Sequence, residues 1–292
     1  MLIRSKRSRM VKTNSKISYN YATVKVTQSR IDKGLLAVPV AWIDWFPKQK
    51  IPVRVFFDDS NVPKLKTYTP YTSSSRECRI GGLAAWFRRN RVRDGDEIVV
   101  QLIDKENYIY RLIHEEQFVA KTQQIQKRFD SSPNDSKALE SLSEIAQWIN
   151  VDRQTAVLNE FYRLIKEERI ESREIITRKE SKLKESVPPN SKILLGEIYK
   201  GHCQVCDFWF LKKDGAPYYE IHHIHDQLGN HLRNLLLVCG NCHNQFTYAH
   251  VQQEFLEGWL YRVNFNCQMF NVNQVIFNQK FSQPIKQAFA VA

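Results

Sequence analysis

The chain has 292 residues, enough for two domains with sizeable cores. Its formal charge is +12 and its pI about 9.4, an excess of base that suits a polyanionic partner. No apolar run approaches the ~20 residues a membrane-spanning helix needs, and no secretory apolar segment follows the basic start, so no membrane association and a cytoplasmic location are expected.

The base is unevenly spread. From Met1 to Arg30 there is no acidic residue, against Arg4, Lys6, Arg7, Arg9, Lys12, Lys16, Lys25 and Arg30. Such an arm is suited to phosphate contacts. Residues 17–116 read as β-rich. The strand-like runs are 22–28, 35–38, 53–57, 66–71, 97–103 and 108–113, separated by turn clusters such as Asp58-Asp59-Ser60-Asn61 and Arg93-Asp94-Gly95-Asp96. Short helices are expected at 41–46 and 82–90. Strands at this spacing point to a barrel or sandwich of about a hundred residues.

Within that half, Gly82-Leu83-Ala84-Ala85-Trp86-Phe87, then Val92-Arg93-Asp94-Gly95-Asp96 and the strand after it, resembles the signature of the DNA-binding pseudobarrel. That family includes plant transcription factors of the B-three type and effector domains of restriction enzymes. Leu83 stands where the family has an aromatic, and Val92 where it has Leu. The resemblance implies that these residues are scaffold and that double-stranded DNA is embraced by two arms, here 27–34 and 67–79. The candidate DNA-binding residues on them are Arg30, Lys33, Tyr68, Tyr71, Ser74 and Arg76, whose hydroxyls, rings and cations suit phosphates and base edges.

Residues 117–186 are charged and helical in period, and read as a connector. Ser131-Ser132-Pro133-Asn134-Asp135-Ser136 is a break with an N-cap candidate, and Leu139, Leu142, Ile145, Ala146 and Ile149 recur at helical spacing. A second helix starting near Asp152 is expected to run on as a charged segment to about Lys184. Val187-Pro188-Pro189-Asn190 then ends it and opens the last domain, 187–292. A packing or dimerising hairpin accounts for this connector better than a helix-turn-helix, because the turn lacks Gly. A homodimer is therefore expected.

The most informative stretch is 201–250. Two Cys-x-x-Cys knuckles, Cys203/Cys206 and Cys239/Cys242, match a tetrahedral four-cysteine site for structural zinc. Disulfide pairing fits less well, since nothing indicates secretion. Cys78 and Cys267 are read as core thiols. Between the knuckles, 218–224 reads as a strand ending at adjacent histidines. A polar loop with Asp226, Gly229 and Asn230 follows, then the apolar run after Asn234, then a helix from about Asn241 carrying His243.

Strand, loop, strand and helix with histidines at these places resemble the HNH (ββα-metal) nuclease finger in its four-cysteine form. The resemblance implies roles residue by residue. His222 and His243 would hold a catalytic divalent ion, Mg2+ first, with Mn2+ or others as alternatives. His223 would be the general base and Asn234 the residue that ties down the loop. Glu220, on the same strand face as His222, would be an outer partner or an alternative ligand. Many relatives carry a further ligand one turn beyond the His243 position, where this chain has Thr247. His250 lies seven residues on, ~10.5 Å along a helix, too far to replace it. His225 and His231 are expected to face the loop or DNA. Residues 255–281 mix aromatics with Asn and Gln and are candidates for extra strands.

The expected architecture is α+β and multidomain: an amino-terminal β-pseudobarrel (1–116), a helical connector (117–186) and an HNH finger (187–292). The expected function is sequence-specific DNA cleavage of the restriction type. The alternatives are a mobile-element or nonspecific nuclease, or a non-catalytic zinc-containing DNA-binding regulator.

Overall fold

The computed structural model describes residues 13–72, 77–167, 175–178, 181–184, 186–226 and 228–278. The fold is mixed α and β, with several separate sheets. The chain divides into two compact units, Met1–Gln124 and Ile125–Ala288.

In the first unit the strands are β1 (Thr13–Asn14), β2 (Tyr21–Lys25), β3 (Leu36–Val38), β4 (Val53–Phe57), β5 (Lys64–Lys66), β6 (Tyr68–Thr69), β7 (Cys78–Ile80), β8 (Glu97–Asp104) and β9 (Ile109–His114). They form a six-stranded sheet in the order β1-β2-β8-β9-β4-β5 and a three-stranded sheet in the order β3-β7-β6. All pairings are antiparallel except β4 with β9. Among the described residues neither sheet closes into a barrel. Both contribute to one core: Val24, Val55, Ile98, Val100 and Leu112 from the larger sheet, Leu36, Val38, Tyr68, Cys78 and Ile80 from the smaller. The alternation of apolar and polar residues is what allows each strand to give one face to that core.

Two short helices, α1 (Gln28–Asp32) and α2 (Ala84–Arg89), and a 3-10 turn at Val40–Trp45 complete the unit. Gly34 makes the approach of α1 to α2 possible. It adopts φ +61°, and a Cβ there would lie 2.9 Å from the backbone nitrogen of Ala84. Leu83 and Phe87 are buried, and the Trp86 indole donates to the Asp58 carboxylate, which secures α2. The turn before β8 is pinned by Asp96, whose carboxylate accepts from the Arg93 amide and from His114. The segment with the signature spacing is scaffold in this sense.

The expected strand 66–71 is broken at Thr67, so that β5 and β6 join different sheets. The first expected arm, 27–34, is largely the helix α1, started at Thr27, whose backbone is extended.

Helix α3 (Glu115–Asp130) begins in the first unit and ends in the second. The second unit continues with α4 (Asp135–Ile149), α5 (Arg153–Glu167), the hairpin β10 (Ile175–Arg178) and β11 (Ser181–Lys184), and α6 (Pro189–Tyr199). Asn134 caps α4 by accepting from the Lys137 amide, and Asp152 does the same for α5 through Thr155. Helices α4, α5 and α6 pack on one another within the same unit as the finger. Two expectations are corrected here. The charged segment after α5 is not a continuing helix but contains the antiparallel β10–β11 pair. Pro188-Pro189 does not simply end a helix; Pro189 starts α6, a position where the missing N–H costs nothing.

The finger follows as β12 (Glu220–His223), a 3-10 turn at Leu232–Asn234, β13 (Leu235–Val238) and α7 (Gly240–Tyr248). After it come β14 (Val251–Leu256), β15 (Trp259–Phe265) and β16 (Gln268–Asn271), an antiparallel sheet of its own. Its apolar face, Leu260, Val263 and Phe265, joins Cys203, Cys239, Cys242, Leu236 and Val238 in one core. No helix among the described residues is long and apolar enough to cross a membrane.

Candidate metal centre and histidine cluster

The four knuckle cysteines come together from two turns 33 residues apart in sequence. Their sulfur atoms all lie within 4.8 Å of one another, and Cys206 and Cys239 are 3.7 Å apart, Sγ to Sγ. A tetrahedron of zinc–thiolate bonds, each about 2.3 Å, has edges of about 3.8 Å, so the cage has the right size. Cys239 is also the N-cap of α7, its sulfur accepting from the Cys242 amide. The positive end of that helix favours thiolate.

Crowding sets the sulfurs against one another. A hydrogen bond from Cys242 pulls the Cys203 thiol down to about 5. Burial pushes Cys206 up to about 11, and the bond to Cys203 pushes Cys242 up as well. Four such groups ionise together only around a cation. The cluster can hold a structural metal such as zinc. Among the described residues no other set of His, Cys, Asp and Glu gathers as closely.

The cage is buttressed by Gln204, which is buried and has polar contacts on both sides. Its side chain accepts from the Leu237 amide at 2.8 Å and donates to the Asn273 carbonyl at 2.8 Å, tying the first knuckle to β13 and to the sheet extension.

Beside the cage, β12 and β13 pair antiparallel with His222 opposite Leu236 and His223 opposite Leu235. Strand alternation puts Glu220 and His222 on one face and His223 on the other. On the first face, α7 brings His243 in. Its Nδ1 lies 2.5 Å from Glu220 Oε2, and its ring centroid is 5.4 Å from that of His222. The Tyr218 hydroxyl donates to the other Glu220 oxygen. Glu220 thus accepts from both neighbours. The carboxylate makes Nδ1 the donor of that bond and orients the His243 ring, with Nε2 turned away from Glu220. His222 stacks on Phe246 at 4.2 Å. Burial, and then the charge of His243, hold His222 down to about 4, which keeps it neutral at pH 7.

His223 is 7% exposed. Its Nε2 lies 2.9 Å from Asn230 Oδ1, and Asn230 Nδ2 donates in turn to the Ser186 carbonyl. The second bond fixes which end of the amide is the oxygen, so His223 Nε2 is the donor to Asn230 Oδ1. Asn234 knots the loop between. It accepts from the His225 amide and donates among the carbonyls of His225, Leu228 and Gly229. Asn230, which the sequence marks only as a turn former, bonds His223 directly. Asn234 acts on it through the backbone of the loop.

Thr247 donates to the His243 carbonyl one turn back. His250 lies beyond α7, its amide held by Asn266. His225 stacks on Phe255 and is exposed. His231 lies in the loop as expected but is buried, which corrects the DNA-facing alternative: Nδ1 accepts from the Arg233 amide and Nε2 donates to the Ile165 carbonyl. Cys267 is exposed rather than a core thiol, sitting in the tight turn between β15 and β16, whereas Cys78 is buried.

Of the candidate DNA-binding residues in the first unit, Lys33 and Tyr71 are exposed. Arg30 makes a two-pronged ion pair with Glu77 at 2.5 and 2.6 Å. Tyr68 is a correction: it is 2% exposed, stacks on Phe46 and donates to the Pro47 carbonyl, which makes it core. Ser74 and Arg76 lie outside the described residues.

No protein-family model matches the chain, and no curated protein matches it. Among solved structures, the Arabidopsis FUS3-DNA complex aligns at 19% identity over 32% of this chain and 92% of that one, with a TM-score of 0.26. A likeness of that size bears no weight for fold or function.

Proposed function

We propose that the chain is a restriction-type DNA endonuclease, in which the second unit cuts through an HNH centre and the first, as a pseudobarrel, reads the sequence. The observation that carries the reading is the meeting of Glu220, His222 and His243 between β12 and α7, beside the four-cysteine cage. A purely structural zinc knuckle has no use for those three residues.

His222 and His243 would hold a divalent ion, Mg2+ first and Mn2+ or others as alternatives, since both present a ring on the Glu220 side of the strand. Bound there, the ion would supply positive charge to the scissile phosphate and the departing oxygen. Glu220 orients His243, and Tyr218 orients Glu220. His223, next along the strand, would take the proton of the attacking water, its ring held through Nε2 by Asn230. Asn234 maintains the loop that presents Asn230. One such centre attacks one strand at a time, so a double-strand break calls for two copies of the chain or two successive nicks. We place the enzyme as a homodimer on double-stranded DNA.

The test is digestion of methylated and unmethylated plasmids with Mg2+ or Mn2+, followed by sequencing of the ends. Ends at one recurrent sequence support the restriction reading. Scattered ends favour a mobile-element or nonspecific nuclease. A second reading, a non-catalytic zinc-containing DNA-binding regulator, draws on the burial of His223, and intact plasmid under every condition would favour it.

A further inference from the structure

Phe208, Trp209, Phe210 and Leu211 are four consecutive apolar residues, and each is about half exposed, at 55, 46, 44 and 54%. They follow the first knuckle after Asp207 and form one arm of a hairpin. Its backbone bonds run from Tyr218 N to Phe210 O and from Lys212 N to Ala216 O, and it turns at Gly215. A folded chain gains nothing for its own stability from such an array held in water.

The hairpin is anchored rather than loose. The Cys203 amide bonds the Phe208 carbonyl, and Gly201, at φ +78°, lets Pro217 close on the end of α6, where a Cβ would sit 2.3 Å from the proline ring. Trp209 stacks on His202 at 5.1 Å, and Phe210 on Tyr218 at 5.0 Å. The array leads to the candidate centre, because Tyr218 bonds Glu220 and Glu220 bonds His243. At its tip are Lys212, paired with Asp214, and the exposed Lys213.

We propose that this hairpin is a stacking platform for unpaired nucleobases of the DNA strand next to the cutting centre. Fixed aromatic rings flanked by lysines bind single strands through base stacking and phosphate contact, with little sequence preference. The exposed Lys213 at the turn, the basic charge of the chain and the direct path to His243 favour DNA over an apolar protein partner as the occupant. The proposal rests on the nuclease reading for its place beside a scissile phosphate, but its binding test does not require cleavage.

The experiment uses the full chain without added divalent ion and a 12-nucleotide oligo(dT) as probe, followed by fluorescence anisotropy and acrylamide quenching of tryptophan. Trp209→Leu keeps apolar bulk and removes the indole, Phe208→Leu is the second variant, and zinc content shows that the finger persists. Binding should shield tryptophan in the wild type. Each variant should lose about five- to 150-fold in affinity, the range that corresponds to ~1–3 kcal/mol per stacked base. Unchanged affinity in both variants overturns the platform, whether or not the protein cleaves plasmids. Loss of self-association in light scattering with unchanged oligo(dT) binding would also overturn it and make the hairpin a protein interface. Should the plasmid never be cut while oligo(dT) binding still depends on Trp209, the platform stands and the nuclease reading falls.

Discussion

Replacing Asn234 by Ala removes one acceptor and two N–H donors from a side chain that is 4% exposed. The acceptor meets the His225 amide at 2.8 Å. The two hydrogens serve three carbonyls, those of His225, Leu228 and Gly229, at 3.1 to 3.2 Å. Three net hydrogen bonds at about 1 kcal/mol each give a loss of about 3 kcal/mol. For a unit the size of Ile125–Ala288 that is a fall of about 6–12 °C in Tm. Asn234→Asp is the sharper variant. It keeps the acceptor for the His225 amide but turns a second carboxylate oxygen towards three carbonyls, so at pH 7 it should lose at least as much as Ala. Thermal melting followed by circular dichroism, with zinc content measured in parallel, reads both. The loosened loop should also free Asn230 from His223 and lower cleavage more than it lowers DNA affinity. An Asp variant as stable as the wild type, or an Ala variant within about 0.5 kcal/mol of it, would refute the assignment of Asn234 as the knot of the loop.

Other outcomes follow from the same geometry. Cys203→Ser or Cys239→Ser should release zinc and unfold the finger, because metal binding there is largely folding energy, whereas His243→Ala should keep zinc and lose cleavage; metal analysis separates the two. His231 is held below the usual histidine range, mainly by burial, and protonating Nδ1 would break its bond to the Arg233 amide. The unfolded chain therefore binds the extra proton more readily. Stability should fall as pH drops below about 6.5, and His231→Gln should flatten that slope in melts between pH 7 and pH 5. Replacing Lys6, Arg7 and Arg9 together by Ala should weaken binding to all duplexes alike and reduce the salt slope by up to about three units, measured by titration at several salt concentrations. Light scattering should find a dimer on DNA.

Much of the site was legible because its signals are local. Two knuckles, adjacent histidines at a strand end and a histidine after the last cysteine are spaced within about fifty residues, and the structure brings them to one small region. Strand β4 matched its apolar alternation at both ends, and Asn134 capped α4 as a cap residue should. What escaped depends on contacts distant in sequence. Asn230 is an ordinary turn residue until Ser186, 44 residues away, fixes its amide against His223. Phe246 reads as a helix aromatic, and only packing reveals the stack on His222. Tyr68 and Arg30 carry suitable chemistry for DNA, but burial against Phe46 claims the first and Glu77 pairs with the second. Pro188-Pro189 signals a boundary, yet the dipeptide ends one element and begins another equally well.

The central claim is that the His222–His243 centre cuts DNA with His223 as its base. It is tested most directly by incubating supercoiled plasmid with Mg2+ and either the wild type or His223→Ala, at matched zinc content and matched DNA affinity. The account predicts cleavage by the wild type and a loss of about 10²–10⁴-fold in rate for the variant. Equal rates for the two proteins would contradict it.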